Sequence, residues 1–554
     1  MKRHGNTKTE VNFSEATKGK LTFLLAFCVG IAALGPFQYG YTVGVLNLPE
    51  QELKKFYNES YFHMFGVELG SDQLTILWSS TVSIYCLGGL VGSLLVGPLT
   101  GSFLGRKWTM VSINLLSVSG ALLMWGSKMQ TSFQMIIVGR TIMGVHNGCA
   151  IMVVSMYLAE VSPPNLRGAL GTTQGVFLTT GILVSQILGL QQILGSEERW
   201  PYLLGFYVIP AVLQSFCMMF LPESPRCLLI DKDDLEASRR ALVKLQGAHI
   251  NQDVYMQEMK TEHENELKEP KMSLLTLVKS RSLRPQLLIC VVVWLGQQFC
   301  GSYAILYYST SIFLSAGVPE EYSDYATIGV GGINVLTTVV FMMVVDKAGR
   351  RALLLWGVAI MVFSHAILTV TLGLTENLFC ECGCQQGRWP TGVLDSAGAC
   401  ILPNATGDPN ATMSAAAPFV NPYQWISYLS IVFAIVCIIA FAIGPGPIPF
   451  IITGELFRQG ARPAAFMIGG SVNFVANGAV GLVFPILQAR IGALTFLIFM
   501  AVCVLLCIFV AVKVPETSNK TFEDIQKLFG VQEDASGEAP NDISSDAYEG
   551  TTCL

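Results

Sequence analysis

Two adjacent carboxamides, Gln297 and Gln298, interrupt an apolar run that begins near Leu287, within the stretch WLGQQFCGSYAILYY from Trp294 to Tyr308. A buried amide without partners costs several kcal/mol in hydrocarbon, so such groups face a bundle interior or a watered cavity. Glutamine offers both donors and an acceptor. That suits a neutral ligand covered in hydroxyls better than it suits an ion. Gly301 then weakens the helix, and Tyr307 and Tyr308 bring amphipathic rings with polar tips. Plain helix-to-helix bonding is the competing use of such glutamines. Asn473 and Asn477 stand one helical turn apart, and Asn334, Gln174 and Gln186 add further carboxamides at span depth. Each is individually weak; together they make a carboxamide-lined interior. No nucleophile–base set and no metal-ligand motif is present, so neither an enzyme nor a cofactor is expected.

The elements that must hold these groups are membrane helices. The chain has 554 residues, 52% hydrophobic and only 13% charged, with mean hydropathy +0.51. Soluble domains carry roughly twice that charged fraction. Helical spans need about 20 apolar residues each. Twelve runs qualify: 21–46, 75–97, 108–127, 133–157, 170–191, 202–221, 287–315, 325–345, 352–374, 424–450, 465–487 and 491–514. Met1 to Lys20 is polar and the first apolar run is of full length, so no cleavable signal peptide is expected.

Orientation follows from Lys and Arg placement. With both termini cytoplasmic, the outer loops hold only Lys54, Lys55, Lys128, Arg199, Arg388 and Arg490 of the 34 basic residues, and Arg140 lies within the fourth span. In the first span, Gly40 and Gly44 sit four apart, a spacing for close helix packing. A loop to about Ser71 follows, with the sequon Asn58-Glu59-Ser60.

An internal repeat organises the rest. Gly105-Arg106-Lys107 follows the second span, and Gly349-Arg350-Arg351 follows the eighth, 244 residues on. Glu160 with Arg167 follows the fourth span, and Glu455 with Arg462 follows the tenth, 295 residues on. The excess is the length of an inserted outer loop, 375–423. Two six-span halves with matched charge motifs are what parallel-repeat transporters show, with the site at their interface. Simple positive-inside anchoring would explain single charges. Acid and base at fixed spacing, twice, favour ion pairs between helix ends and halves that hold one conformation shut, a network suited to a bistable gate. Exposed pairs are individually worth little.

The expected organisation is a cytoplasmic N-terminus at 1–20, a six-helix bundle at 21–221, and a cytoplasmic linker with short helices at 222–286. A second bundle at 287–514 and a cytoplasmic tail at 515–554 complete it. The linker opens with Pro222-Glu223-Ser224-Pro225-Arg226 and mixes acid with base, which gives no support to nucleic-acid binding. The outer insertion carries Cys380, Cys382, Cys384 and Cys400, which make two disulfides in an oxidising compartment with three pairings open, and sequons at Asn404 and Asn410. The tail is acidic and disorder-prone, and its end, Thr552-Cys553-Leu554, fits a PDZ groove by strand addition. In the tenth span, GPGPIPF from Gly444 to Phe450 cannot continue a regular helix. Irregular backbone at that depth is tolerated where it lines a cavity.

Taken together, PESPR (222–226), GRK (105–107), DKAGRR (346–351), GQQ (296–298), GPGPIP (444–449) and VPET (514–517) resemble the sugar porters of the major facilitator superfamily. The closest resemblance is to the animal facilitative hexose transporters, over about Leu21 to Phe529. It implies an all-α membrane fold of two six-helix bundles, alternating access by rocking, and a plasma-membrane location. It also implies a sugar held mainly by the second half. Gln297 and Gln298 match the family's sugar-binding glutamine pair, and Gln186, Asn334 and Asn473 match further polar positions. Phe450 and Phe474 stand where glucose-preferring members carry tryptophans. Tyr303 stands at a sugar-binding asparagine, Gly175 at a glutamine and Ala442 at a glutamate. These departures are similar to the subgroup of fructose and urate carriers, although Phe441 stands where the fructose member has a histidine. Asn477 joins the expected sugar contacts through its place beside Asn473.

A proton symporter needs a carboxylate that titrates in the membrane. No span has one in its middle, and Thr42 stands where proton-coupled relatives carry aspartate. Facilitative uniport of fructose, glucose or both is therefore the leading expectation. A millimolar site needs only about −4 kcal/mol. A urate carrier is the second expectation, with Arg140 as the only span cation, and a transport-inactive sugar sensor the third.

Overall fold

The computed structural model describes residues 20–100, 104–163, 165–247, 252–268, 272–345, 348–381, 424–458 and 460–517. Every regular element among them is helical. The first half runs α1 Phe23–Ala32, α2 Leu34–Gly44, α3 Glu50–Phe65, α4 Ser71–Thr100, α5 Gly105–Gly126, α6 Phe133–Val161, α7 Arg167–Leu188, α8 Trp200–Gly205 and α9 Val208–Phe220. The linker holds α10 Leu235–Gln246, α11 Gln252–Lys268 and α12 Leu274–Lys279. The second half runs α13 Arg284–Phe299, α14 Ser302–Ser315, α15 Glu320–Val344, α16 Arg350–Glu381, α17 Gln424–Ile443, α18 Ile448–Leu456, α19 Arg462–Ile491 and α20 Thr495–Lys513.

Among the described residues, ten helical runs are long and apolar enough to cross a membrane. The last of them, Arg462–Lys513, contains two antiparallel-length helices, α19 and α20, divided at Gly492, whose φ of +52° ends α19. The remaining member of the twelve is α7, 22 residues long but diluted by Thr172, Thr173, Gln174, Thr179 and Thr180. It packs between α2 and α15, with Thr179, Ser185 and Gln186 buried. Twelve membrane helices in two six-helix bundles result.

Several spans are broken where the sequence forces it. Pro36 lies in the first turn of α2 and Pro210 in the first turn of α9, where the missing N–H costs least; a break from the preceding helix stands before each. Between α13 and α14, Gly301 takes φ +84°. A side chain there would be strained and would also meet His365 Nε2 at 2.7 Å.

Glycine also sets how closely helices approach. A Cβ on Gly40 would sit 1.8 Å from the Leu178 carbonyl oxygen, and one on Gly181 2.1 Å from that of Phe37, so α2 and α7 touch backbone to backbone. The packing use of Gly40 and Gly44 is what the structure shows. Gly88, Gly92, Gly144 and Gly148 do the same for α4 and α6.

The stretch expected as a loop before Ser71 instead contains α3. Leu53, Phe56, Tyr57 and Ser60 recur at helical spacing and are buried, Glu50 pairs with Lys54 at 2.6 Å, and Gly66 at φ +69° terminates it. Phe56 packs on Trp200 with centroids 5.0 Å apart, and Tyr57 on Phe133 at 5.5 Å. Its polar composition hid this buried stripe.

The halves meet along two seams, α4 against α19 and α7 against α15. The charged motifs mark one end of the bundle. The linker helices lie at this end, where Thr22 Oγ1 donates to the Leu245 carbonyl at 2.5 Å and a small core of Leu229, Leu242, Tyr255, Met256 and Met259 forms.

Candidate functional site

The broken tenth span creates the first half of the site. α17 ends at Ile443 and α18 restarts at Ile448 because Pro445, Pro447 and Pro449 supply no N–H. The Gly446 N–H turns back to the Phe441 carbonyl at 2.8 Å, while the Gly446 carbonyl accepts from Gln297 Nε2. A carbonyl exposed by the break thus becomes a site group.

Gln298 is fully buried and holds the centre. Its Nε2 donates to Asn473 Oδ1 and, at 3.2 Å, to Gln297 Oε1, and its Oε1 accepts from Asn477 Nδ2 at 2.7 Å. Gln297, Gln298, Asn473 and Asn477 therefore form one connected carboxamide chain from α13 to α19. Donors and acceptors alternate along it, the character needed by a ligand whose hydroxyls both give and accept hydrogen bonds. Aromatic rings surround it. Tyr303 lies 5.9 Å from Tyr307 and 5.8 Å from Phe441, edge-on to the latter. Phe450 meets Trp294 edge-to-face at 4.4 Å and is 37% exposed, while Trp294 is anchored by donating to Thr453 Oγ1 at 3.0 Å.

Gln186 and Asn334 lie on the other seam. Gln186 is fully buried with neither amide atom hydrogen-bonded, and a Cβ on Gly331 of α15 would sit 2.1 Å from its Oε1. Asn334 is one turn further along α15, on that face, and 3% exposed. Gln174 accepts from Ser155 Oγ at 2.9 Å, which is bonding between α6 and α7.

Beyond Gln174 and Gln186, sequence reasoning missed three contributions of the first half. Tyr85 donates to Asn477 Oδ1 at 3.1 Å and bonds the Tyr307 hydroxyl, while Tyr39 faces Phe474 at 6.2 Å. Asn47 donates to the Leu306 carbonyl at 3.0 Å and to Ser309 Oγ at 2.7 Å. Tyr85 and Tyr39 join the halves near mid-span, and Asn47 joins them toward the end opposite the charged motifs. The signal was available in a Tyr or Asn on an otherwise apolar face, but it has no fixed spacing.

At the charged end, Arg106 donates from Nε and Nη2 to Glu160 Oε1 at 3.1 and 2.9 Å and pairs with Asp231. Burial pushes the neighbouring Cys227 thiol up to about 11, so it stays neutral and leaves the carboxylates as counter-ions. Glu160 Oε2 accepts from Ser224, and Glu223 accepts the Lys107 N–H at 3.0 Å. The second half repeats this. Arg350 donates to Glu455 at 3.2 Å, Glu455 accepts from Thr517, and Glu516 accepts the Arg350 and Arg351 N–H groups at 2.8 and 3.2 Å. Each of these contacts joins a bundle to itself or to the segment that directly follows it in the chain, and none runs from one bundle to the other. Asp231 was given no role from sequence, and Glu516 and Thr517 were read only as part of the VPET motif, although Pro222-Glu223-Ser224 and Pro515-Glu516-Thr517 form a third pair of the repeat. Arg167 and Arg462 each open a helix, α7 and α19, and Arg226 precedes the single π-turn Cys227–Asp231.

Asn58 is half-buried in α3, with Oδ1 accepting the Leu69 N–H at 3.0 Å, and Ser60 donates to the Thr131 carbonyl at 2.6 Å. The side chains of Cys380, Cys382, Cys384, Cys400, Asn404 and Asn410, and the tail end at Leu554, lie outside the described residues.

Comparison with known proteins gives the same picture. The profile of the family described as "Sugar (and other) transporter" matches residues 28–384 and 386–529. The facilitated glucose transporter member 5 of solute carrier family 2 from Equus caballus is 42% identical over 513 residues, covering 92% of this chain and 93% of that protein. The Homo sapiens protein of the same name is 41% identical with the same coverage. Among solved structures, the inward open conformation of the E. coli xylose transporter XylE superposes with TM-score 0.67 at 22% identity, over 91% of this chain and 99% of that one. The proton:xylose symporter XylE bound to 6-bromo-6-deoxy-D-glucose gives TM-score 0.66 at 22% identity, over 92% of this chain and 100% of that one. These two show the fold.

Proposed function

Because the chain belongs to the sugar transporter family, we propose that it carries a hexose, fructose or glucose or both, across a membrane by facilitative uniport. The observation that carries the proposal is the connected chain Gln297–Gln298–Asn473–Asn477 beside the freed Gly446 carbonyl. It is uncharged, hydrogen-bonds in both directions and is flanked by aromatic faces, as a neutral polyol requires. A urate anion would need a strongly donating or cationic site. Arg140, the cation at span depth, spends its donors on the carbonyls of Thr42, Thr81 and Val82 at 2.9–3.2 Å.

Bundles 21–221 and 287–514 rock about the site. Tyr303, Phe450, Gln186 and Asn334 line the path alongside the carboxamide chain. The clusters around Glu160 and Glu455 set the cytoplasmic gate, with both termini cytoplasmic and the protein in the plasma membrane. Since each named ion pair joins a bundle to itself or to the linker that follows it, the clusters fix helix ends at each bundle and give it a defined inner rim.

The test is uptake of labelled D-fructose, D-glucose and urate into proteoliposomes, with and without an imposed proton gradient. Saturable hexose uptake indifferent to the gradient is expected. Accumulation driven by the gradient would overturn uniport, and uptake of urate alone would overturn the hexose assignment.

A further inference from the structure

We infer that Tyr85 competes with the sugar for Asn477, so that filling the site and releasing the seam between the halves are one event. The inference rests on the proposed reading that Gln298 and Asn477 hold the sugar. It assigns an affinity-setting role to a first-half residue outside the glutamine pair.

Three donor groups stand within reach of Asn477 Oδ1, and because the Tyr85 and Tyr307 hydroxyls also bond each other, these two share two protons among three contacts. Tyr307 comes from its own half, and Tyr85 at 3.1 Å and Cys86 Sγ at 3.0 Å come from the other. A carboxamide oxygen has two lone pairs, so three donors crowd it, and a thiol is a weak donor. Asn477 Nδ2 is committed to Gln298 at 2.7 Å. A sugar hydroxyl that takes the oxygen has to displace one of these donors, and two of the three, Tyr85 and Cys86, bridge the halves.

Tyr85 is not free to step aside by itself. Its ring is fully buried, lies 5.0 Å under the Arg140 guanidinium and packs 6.4 Å from Tyr39. The backbone beneath it is pinned, since a Cβ on Gly144 would stand 2.0 Å from the Tyr85 carbonyl oxygen. The hydroxyl leaves Asn477 when α4 moves relative to α19, and that is the seam between the halves.

The experiment compares wild type with Tyr85→Phe, Cys86→Ala and Asn477→Ala, reading the half-saturating concentration and maximal rate of equilibrium exchange of labelled D-fructose and D-glucose in proteoliposomes. Removing the Tyr85 hydroxyl relieves the competition, so the half-saturating concentration falls about two- to tenfold, the equivalent of one ordinary hydrogen bond. Cys86→Ala lowers it by less, about twofold or under, and the Tyr85→Phe effect disappears in the Asn477→Ala background. A merely structural role would lower the maximal rate and leave the half-saturating concentration unmoved. That outcome, or a raised concentration showing that Tyr85 itself binds sugar, overturns the inference. If Tyr85→Phe does not fold, Tyr307→Phe removes the other hydroxyl of the bridge and is held to the same expectation. Unimpaired uptake by Gln298→Ala would instead overturn the reading on which the inference rests.

Discussion

Glu516 accepts the backbone N–H of Arg350 at 2.8 Å and so does for α16 what Glu223 does for α5. Both carboxylates arrive from just past the last helix of their half, and both satisfy orphan donors at a helix start. Glu223→Ala and Glu516→Ala should each cost about 0.5–2 kcal/mol. Because the two sites sit in different halves, the double variant should add. Thermal unfolding in detergent checks this, and strong non-additivity would show that the two clusters communicate.

Glu160→Gln and Glu455→Gln should slow uptake about tenfold while leaving hexose binding near that of wild type. Each carboxylate joins an arginine to a hydroxyl, Ser224 or Thr517, so its loss loosens a gate rim and leaves the site intact. Transport rates set beside ligand-induced tryptophan quenching separate the two. Equal losses in both would refute the gating role.

Gly40→Val should destabilise the fold by about 1–3 kcal/mol or more, since the added atoms meet the backbone of Leu178. Gly30→Ala, with nothing within 4 Å of the new methyl, should be neutral or raise stability by about 0.5–1 kcal/mol. Melting temperatures of the pair are the check.

Arg140→Lys should lower stability by about 3–5 kcal/mol despite keeping the charge. One guanidinium reaches carbonyls on α2 and α4 from α6, and a point ammonium cannot span all three. Yield of monodisperse protein and its melting temperature measure the loss. A fully stable Lys variant would show that the carbonyls find other partners.

Much of the fold was legible because hydrocarbon enforces it. Every span must be helical and apolar, so α5 or α20 announces itself by length alone. The repeat was legible because Arg106 with Glu160 and Arg350 with Glu455 keep their spacing within each half. α3 was not legible, since its buried stripe of Leu53, Phe56, Tyr57 and Ser60 is diluted by Glu and Lys that pair along its exposed face. The roles of Asp231 and Thr517 were missed for a related reason: a short polar residue in a single turn or beyond a helix end carries no period.

The sequence by itself determined that this chain is a membrane protein of two repeated halves, and that Gln297, Gln298, Asn473 and Asn477 stand at span depth. Burying an amide in lipid is costly enough that composition and spacing alone force those conclusions. Only the tertiary structure decided which carboxamides join. Gln298 links Asn473 to Asn477, whereas Gln186 is set apart on the α7–α15 seam. It alone placed Tyr85 across the interface from Asn477, 392 positions away in the chain. Contacts between halves depend on how glycine-lined helices settle against one another, and that geometry has no local signature in the order of residues.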